Sequence, residues 1–389
     1  MTIADALPRR PTRIDLVALC LAALSALILG RQLGLDYLVG GDAFRQGDWL
    51  IHADAGPVRR GLFGSALLRV ADALGLDPLA AVVALQGLLL GVIALALAPV
   101  VWRLTRAPEW WLLFLSPAFI PLFWGADPIG SLRKEVIAFA AFALLLPGFL
   151  ASVGARGLIA LSVLLFALAL TGHEALILLS PAYAGLLWLA SGHAGLSRGL
   201  RLGLIATLAL AGMAAAGYTV AFAQAEPGAI CAALLERGLG AQFCGGAIGY
   251  LEHTGAEAAA EMSAQLAGSG ALMSLVAWAL AAAPVLYLVS RHSGAGWVVA
   301  LFALTVLSVA PLFAVAADWG RWVQLQMVSF GCLLAGLALS GRIVPVRQAS
   351  PRLILIVLVL GALWSPRHHS GIEEGGLAKQ LVYAATEAR

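Results

Sequence analysis

Four clusters of charge and one long polar loop interrupt an otherwise apolar chain, and their residue types are those of a reactive site. The first cluster holds Asp42, Arg45, Asp48, His52, Asp54, Arg59 and Arg60, ending in the run HADAGPVRRGLFGS at 52–65. The second, ADPIGSLRKE at 126–135, carries Asp127, Arg133, Lys134 and Glu135. TGHEA supplies His173 and Glu174, the loop 223–270 supplies Glu236, Arg237, Glu252 and His253, and AADWGRW supplies Asp318 and Arg321. Adjacent cations such as Arg59–Arg60 and Arg133–Lys134, with Arg321, suit a phosphate or diphosphate, which arginine grips with a planar fork. Asp42, Asp48, Asp54, Glu174 and Asp318, together with the His173 imidazole, suit base chemistry on a hydroxyl. The carboxylates also suit a hard divalent cation, although no ligand set for one is identifiable. Cations for an anion beside a base, at a lipid–water boundary, describe transfer from a lipid-phosphate donor.

Other chemistries are excluded. HEALI lacks the second histidine of a zinc-protease helix. No glycine-rich nucleotide loop and no GxSxG elbow occur, and without a basic tract nucleic acid is not an expected partner. Each charged residue also has a plainer use. Charges at the ends of spans reach into headgroups, Trp319 and Trp322 suit an aromatic belt, Arg69 and Asp72 suit the wet face of a helix, and His368 and His369 read as residues of a loose polar tail, not metal ligands.

The elements that position these residues are membrane helices. The 389 residues are 61% hydrophobic with a mean hydropathy of +0.93, far from a soluble composition. The fold class expected is all-α, a single polytopic membrane domain with about eleven spans near 14–33, 79–102, 110–125, 136–153, 157–172, 175–190, 202–222, 271–290, 296–316, 323–340 and 353–365. No cleavable signal peptide is expected at the N-terminus. Arginine sets the orientation: Arg9, Arg10, Arg13, Arg103, Arg106, Arg156, Arg198, Arg201, Arg291, Arg342, Arg347 and Arg352 share one side with few acids (Asp5, Asp15 and Glu109). That side is the expected cytoplasmic one, and the polar clusters then face outward.

Two outer loops follow, 34–78 and 223–270. In the first, Leu62, Phe63, Ala66, Leu67, Val70 and Leu74 recur at helical spacing and predict an amphipathic helix lying in the membrane interface. In the second, Cys231 and Cys244 suit a disulfide in an oxidising compartment, with the bridged and free forms both open at this level. Cys20 and Cys332 fall inside apolar spans as packing residues.

Many helices, acids in the first outer loop and an interfacial helix after them resemble the GT-C glycosyltransferases. The motifs RRGLFG (59–64), LRKE (132–135), GHE (172–174) and DWGRW (318–322) are similar to those of membrane proteins from bacterial surface-polysaccharide clusters. The resemblance implies a glycosyltransferase or polymerase in the bacterial inner membrane, its active face periplasmic, using a polyprenyl-(di)phosphate-linked sugar. It implies a first-loop aspartate (Asp54, Asp42 or Asp48) as base and arginines on the donor phosphate. The chain departs from the pattern in having no Asp-Asp or Asp-Glu pair and no large soluble C-terminal domain. Two other functions remain open: an exporter or flippase of an anionic lipid-linked glycan, and an acyltransferase with His173 as base.

Overall fold

The computed structural model describes residues 11–151, 154–222, 226–253 and 255–387, so Asp5, Arg9 and Arg10 lie outside the described residues. It is all-helical apart from one short hairpin. Helix α1 (Arg13–Leu38) starts at a capping box in which Thr12 and Asp15 satisfy each other's backbone N–H groups. The first loop leads to α2 (Gly61–Leu74), and Asp77 with Pro78 then opens α3 (Pro78–Leu104). Two short helices follow, α4 (Trp111–Phe114) and α5 (Ile120–Ala126), and then α6 (Glu135–Leu145). Helix α7 (Ala155–Gly172) turns through a 3-10 segment, Glu174–Leu179, into α8 (Ser180–His193) and α9 (Arg198–Ala221). The second loop contains α10 (Pro227–Glu236), α11 (Gly246–Gly249) and α12 (Gly255–Ala267). Helices α13 (Ser269–Ser290), α14 (Ala295–Val309), α15 (Leu312–Val315), α16 (Trp319–Leu339) and α17 (Pro351–Gly361) precede strands β1 (Trp364–Pro366) and β2 (Ile372–Glu374) and the last helix, α18 (Gly376–Glu387).

Among the described residues, eight helical stretches are long and apolar enough to cross a membrane. The three other apolar runs form shorter pieces. The run 110–125 is interrupted at Ser116–Pro117, where proline cannot continue the ladder and Ser116 instead donates to Ala281 O on α13. The run 136–153 ends as a helix at Leu145, just before Pro147. The run 353–365 gives the eleven-residue α17 and then turns into β1. Hydropathy does not separate a spanning helix from a short one enclosed by others, and α6, with every residue buried, is of the second kind.

Helix α6 lies against α3, α7, α8 and α16, and α16 is nearly as enclosed. Tyr183 stacks on Phe166, with ring centroids 3.9 Å apart. Its hydroxyl meets Ser162 Oγ at 2.6 Å, and Ser162 in turn donates to Ala141 O. In an apolar interior those hydroxyls need such partners, and they tie α6, α7 and α8 together.

The run 366–380 is not a loose tail. Strand β1 pairs antiparallel with β2, and the hairpin caps α16: the N–H groups of Trp319 and Arg321 donate to the carbonyls of His369 and His368. Four free N–H groups at a helix start need acceptors, and here a distant segment supplies two of them. The second loop is bridged, Cys231 to Cys244, with a Cα separation of 4.9 Å. It closes on the first loop through Phe243, which lies against Gly41 and Gly47, and through the hydrogen bond Ala247 N–H to Ala43 O.

Candidate functional site

The first loop is built before its reactive groups are placed. Asp42 Oδ1 accepts from the N–H groups of Phe44 and Arg45 at 2.9 and 2.7 Å. Asp36, at the end of α1, holds the Arg45 guanidinium by two hydrogen bonds of 2.7 and 2.6 Å. Asp42 is therefore a loop-folding residue. Trp49 Nε1 and Gln86 Nε2 both donate to Leu132 O, at 2.8 and 2.6 Å. Leu132 sits at φ 60°, a left-handed conformation that costs a side-chain residue about 1 kcal/mol. These two bonds hold it there, and the turn delivers Arg133 and Lys134 under the first loop.

Asp48 and Lys134 meet at that point, both essentially without solvent exposure. Asp48 Oδ2 receives the Lys134 backbone N–H at 3.5 Å, while Oδ1 has no hydrogen-bond partner. Lys134 Nζ donates to Arg60 O at 3.2 Å and lies 5.9 Å from the Phe63 ring centre. Burial pushes the Lys134 ammonium down to about 8, with Asp48 opposing the shift. For Asp48, burial alone would raise the carboxyl pKa. The charges of Lys134, His173, Arg60 and Arg133 outweigh it and hold the group below its ordinary value.

Other segments converge on this pair. Arg60, itself left-handed at φ 65°, grips Glu174 with contacts of 2.5 to 3.0 Å. His173 is buried at the end of α7, and its Nδ1 accepts from Ala175 N–H at 3.2 Å. Gly172 leaves room for the Lys134 stem, which a Cβ there would meet at 3.3 Å. From α16, Arg321 forks between Glu135 and Asp318. Asp318 precedes that helix; burial pushes its carboxyl upward, and the Arg321 charge, the His369 hydrogen bond and the charges of Arg133 and His368 together outweigh it, leaving the group well below the carboxylate range. Arg133 packs its guanidinium 5.0 Å from the Phe44 ring centre, and its Nε is buried without a hydrogen-bond partner.

The structure thus brings together Asp48, Arg60, Arg133, Lys134, His173, Glu174, Asp318 and Arg321. Glu174 takes Arg60 as its partner. Asp54 stands apart: it lies 3.5 Å from Arg69, 3.7 Å from Arg237 and 4.0 Å from His52, and joins the first loop to the second. Arg59 diverges from Arg60 and donates to Tyr250 O at 3.2 Å. Arg69 and Asp72 are exposed on α2, on its wet face, and there Arg237 reaches Asp72 at 3.3 Å.

Two pairings are not legible in the sequence. Glu135, in the second cluster, is the buried partner of Arg321. His368 gives Asp127 both its backbone N–H and its Nδ1 contact, each at 2.7 Å. Only a fold that carries the hairpin back over 241 positions makes that pair, and no local pattern announces it. The cavity lined by Arg133, Glu135, Arg321 and Gln324 measures about 10 Å³, room for one water. Among the described residues, no group of three or more His, Cys, Asp or Glu side chains is placed to hold a metal ion. No protein-family model, curated protein or solved structure matches the chain.

Proposed function

We propose that the chain is a membrane-embedded glycosyltransferase or polymerase that draws on a polyprenyl-(di)phosphate-linked sugar at the outer face of a bacterial inner membrane. The observation that carries this is the convergence of Arg60, Arg133, Lys134 and Arg321 with Asp48, Glu135, Glu174 and Asp318 at one end of an apolar bundle. Charge is expensive at membrane depth and is retained there chiefly for function. Arg133 is the cation for the donor phosphate, because its buried Nε lacks a hydrogen-bond partner and the residue as a whole is only half-buried. Asp318 is the base: its side chain keeps 29% exposure, whereas Asp48 is sealed behind Lys134. It takes the acceptor hydroxyl's proton as that oxygen bonds to the anomeric carbon and the phosphate leaves, and Arg133 balances the charge gathering on the phosphate.

Orientation has two supports. Disulfides persist in oxidising compartments, and Cys231–Cys244 lies in the loop that covers this end of the bundle. Arginines crowd the opposite end, as expected of a cytoplasmic face. Helix α2 fits an interfacial position, since it buries Gly61, Gly64, Ser65, Leu68 and Ala71 against the protein and leaves Leu62, Val70 and Leu74 outward.

The test is a glycan profile of a deletion strain of the source bacterium, complemented with wild type, Asp318→Asn or Arg133→Ala at matched membrane levels. Loss or truncation of a surface glycan on deletion, restored by wild type and by neither variant, is the expected result. Unchanged glycans on deletion overturn the proposal. Restoration by Asp318→Asn but not by Arg133→Ala replaces it with an exporter, which needs the cation and no base.

A further inference from the structure

The hairpin over α16 carries two histidines that the proposed reaction does not use. Strands β1 and β2 close through the bond from Arg367 N–H to Gly371 O at 3.1 Å, which leaves His368, His369 and Ser370 as the tip. That tip is pinned on three sides. The carbonyls of His368 and His369 accept from N–H groups of α16, and Gly371 N–H donates to Ser274 Oγ on α13 at 2.8 Å. On the third side it meets the turn Pro128–Gly130. Two glycines permit these approaches: a Cβ on Gly130 would collide with the His368 side chain, and one on Gly320 with the Arg367 carbonyl.

Held in this way, His368 is half of a carboxylate–imidazole pair. Asp127 is 3% exposed, and its Oδ2 accepts from both the backbone N–H and the Nδ1 of His368, each at 2.7 Å. Its Oδ1 accepts from Gly130 N–H at 3.3 Å. Burial alone would raise the Asp127 carboxyl; the hydrogen bonds and charge of His368, with the Gly130 N–H, outweigh it and keep the group an acceptor. A carboxylate has no proton to give, so the shared proton sits on the His368 Nδ1 and Nε2 is left for a ligand. The side chain keeps 17% exposure, and Nε2 has no hydrogen-bond partner among the described residues.

The same tip stands beside Asp318. His369 Nδ1 lies 4.0 Å from Asp318 Oδ1, and His368 is near enough to be among the groups that hold the Asp318 carboxyl down. Carboxylates on two sides, Asp127 and Asp318, disfavour an anion at Nε2. A metal ion lacks a ligand set among the described residues. A hydroxyl suits Nε2 in either protonation state, donating to its lone pair or accepting from its N–H.

We infer that His368 is an acceptor-binding residue, its Nε2 holding a second hydroxyl of the acceptor while Asp318 engages the reacting one. This rests on the transferase reading and narrows its acceptor to a polyhydroxylated molecule, a sugar, in place of a lipid alcohol or a serine or threonine side chain.

Asparagine is the informative replacement, because its Nδ2 keeps the bond to Asp127 and it offers nothing at the Nε2 position. In the deletion strain, His368→Asn at matched membrane level is expected to yield about tenfold less glycan than wild type, the worth of one hydrogen bond to a bound hydroxyl, with an unchanged melting temperature in detergent. Full restoration by His368→Asn overturns the inference and leaves the transferase reading standing. Glycans unchanged by the deletion overturn that reading and the inference with it. Should the variant not fold, the wild-type chain still decides. Diethyl pyrocarbonate attacks an open imidazole nitrogen, and peptide mass spectrometry is expected to find His368 modified, with the buried His52 and His173 spared. An unmodified His368 shows that Nε2 is closed to ligands and overturns the inference.

Discussion

At the scale of a single residue, Lys134 is a group whose burial a pH titration can read. Its pKa falls from 10.5 to about 8 on folding, so between those values the unfolded chain binds a proton that the folded chain does not. Stability must therefore rise with pH across that window, by about 3 kcal/mol from this group, and the penalty is fully present below pH 8. Thermal unfolding in detergent from pH 7 to 10.5 should show the rise in wild type and lose it in Lys134→Met. An unchanged slope in the variant would show that Lys134 does not titrate in this window. Arg60 tests the neighbouring pair. Arg60→Ala strands Glu174, whose side chain is only 24% exposed, and should cost about 2 kcal/mol. Adding Glu174→Ala should recover part of that loss, because the stranded charge goes with it. A double variant no better than the single one would mean that Arg60 acts through its backbone turn at φ 65° instead.

At the scale of elements, the motif RRGLFG is a packing device as much as a chemical one. A Cβ on Gly64 would stand 1.9 Å from Ile51 O, so α2 approaches the first loop only because that position is glycine. Gly64→Ala should lower the melting temperature sharply, on the scale of overpacked cores at about 1–3 kcal/mol. Gly203→Ala on α9, where nothing lies within 4 Å, should be neutral or add about 0.5–1 kcal/mol. Equal effects of the two would refute the close approach of α2. The glycine spacing was visible in the sequence, but its reason was not, because Ile51 meets Gly64 only once the loop is folded. Long apolar helices such as α1, α3 and α9 were legible from hydropathy alone, while α4, α5 and α17 were not, since burial by neighbours replaces length. The charged cluster was half legible. Residue type singled out Lys134, Glu174 and Arg321, and chain topology then decided that Glu174 takes Arg60, that Asp54 is spent between loops, and that His368 returns to Asp127.

For the whole molecule, the outstanding quantity is its direction in the membrane, and the proposed chemistry depends on it. Chain alternation puts Arg103, Arg156, Arg201 and Arg291 at one end and the charged cluster with both long loops at the other. A helix bundle of this kind reads the same from either side, so the sign must come from arginine bias and from the Cys231–Cys244 bridge. Single cysteines placed in a background with Cys20 and Cys332 changed to serine give a direct reading with a membrane-impermeant thiol reagent. Cysteine at Asp72 or Glu252, both exposed on the loop side, should label in intact cells with the outer membrane permeabilised. Cysteine at Arg342, exposed at the opposite end, should label only after the inner membrane is opened. The reverse pattern would place the cluster in the cytosol, where the bridge would be reduced and a periplasmic acceptor could never reach Asp318. In the expected pattern, reduction of the bridge should also loosen the second loop, since a closure of this length is worth about 3 kcal/mol. The loop holds Phe243 against Gly41 and Gly47, so its release should expose the first loop from outside. Protease sensitivity at 39–60 should therefore rise when Cys231→Ser/Cys244→Ser replaces wild type, and protection equal to wild type would show that packing alone keeps the two loops together.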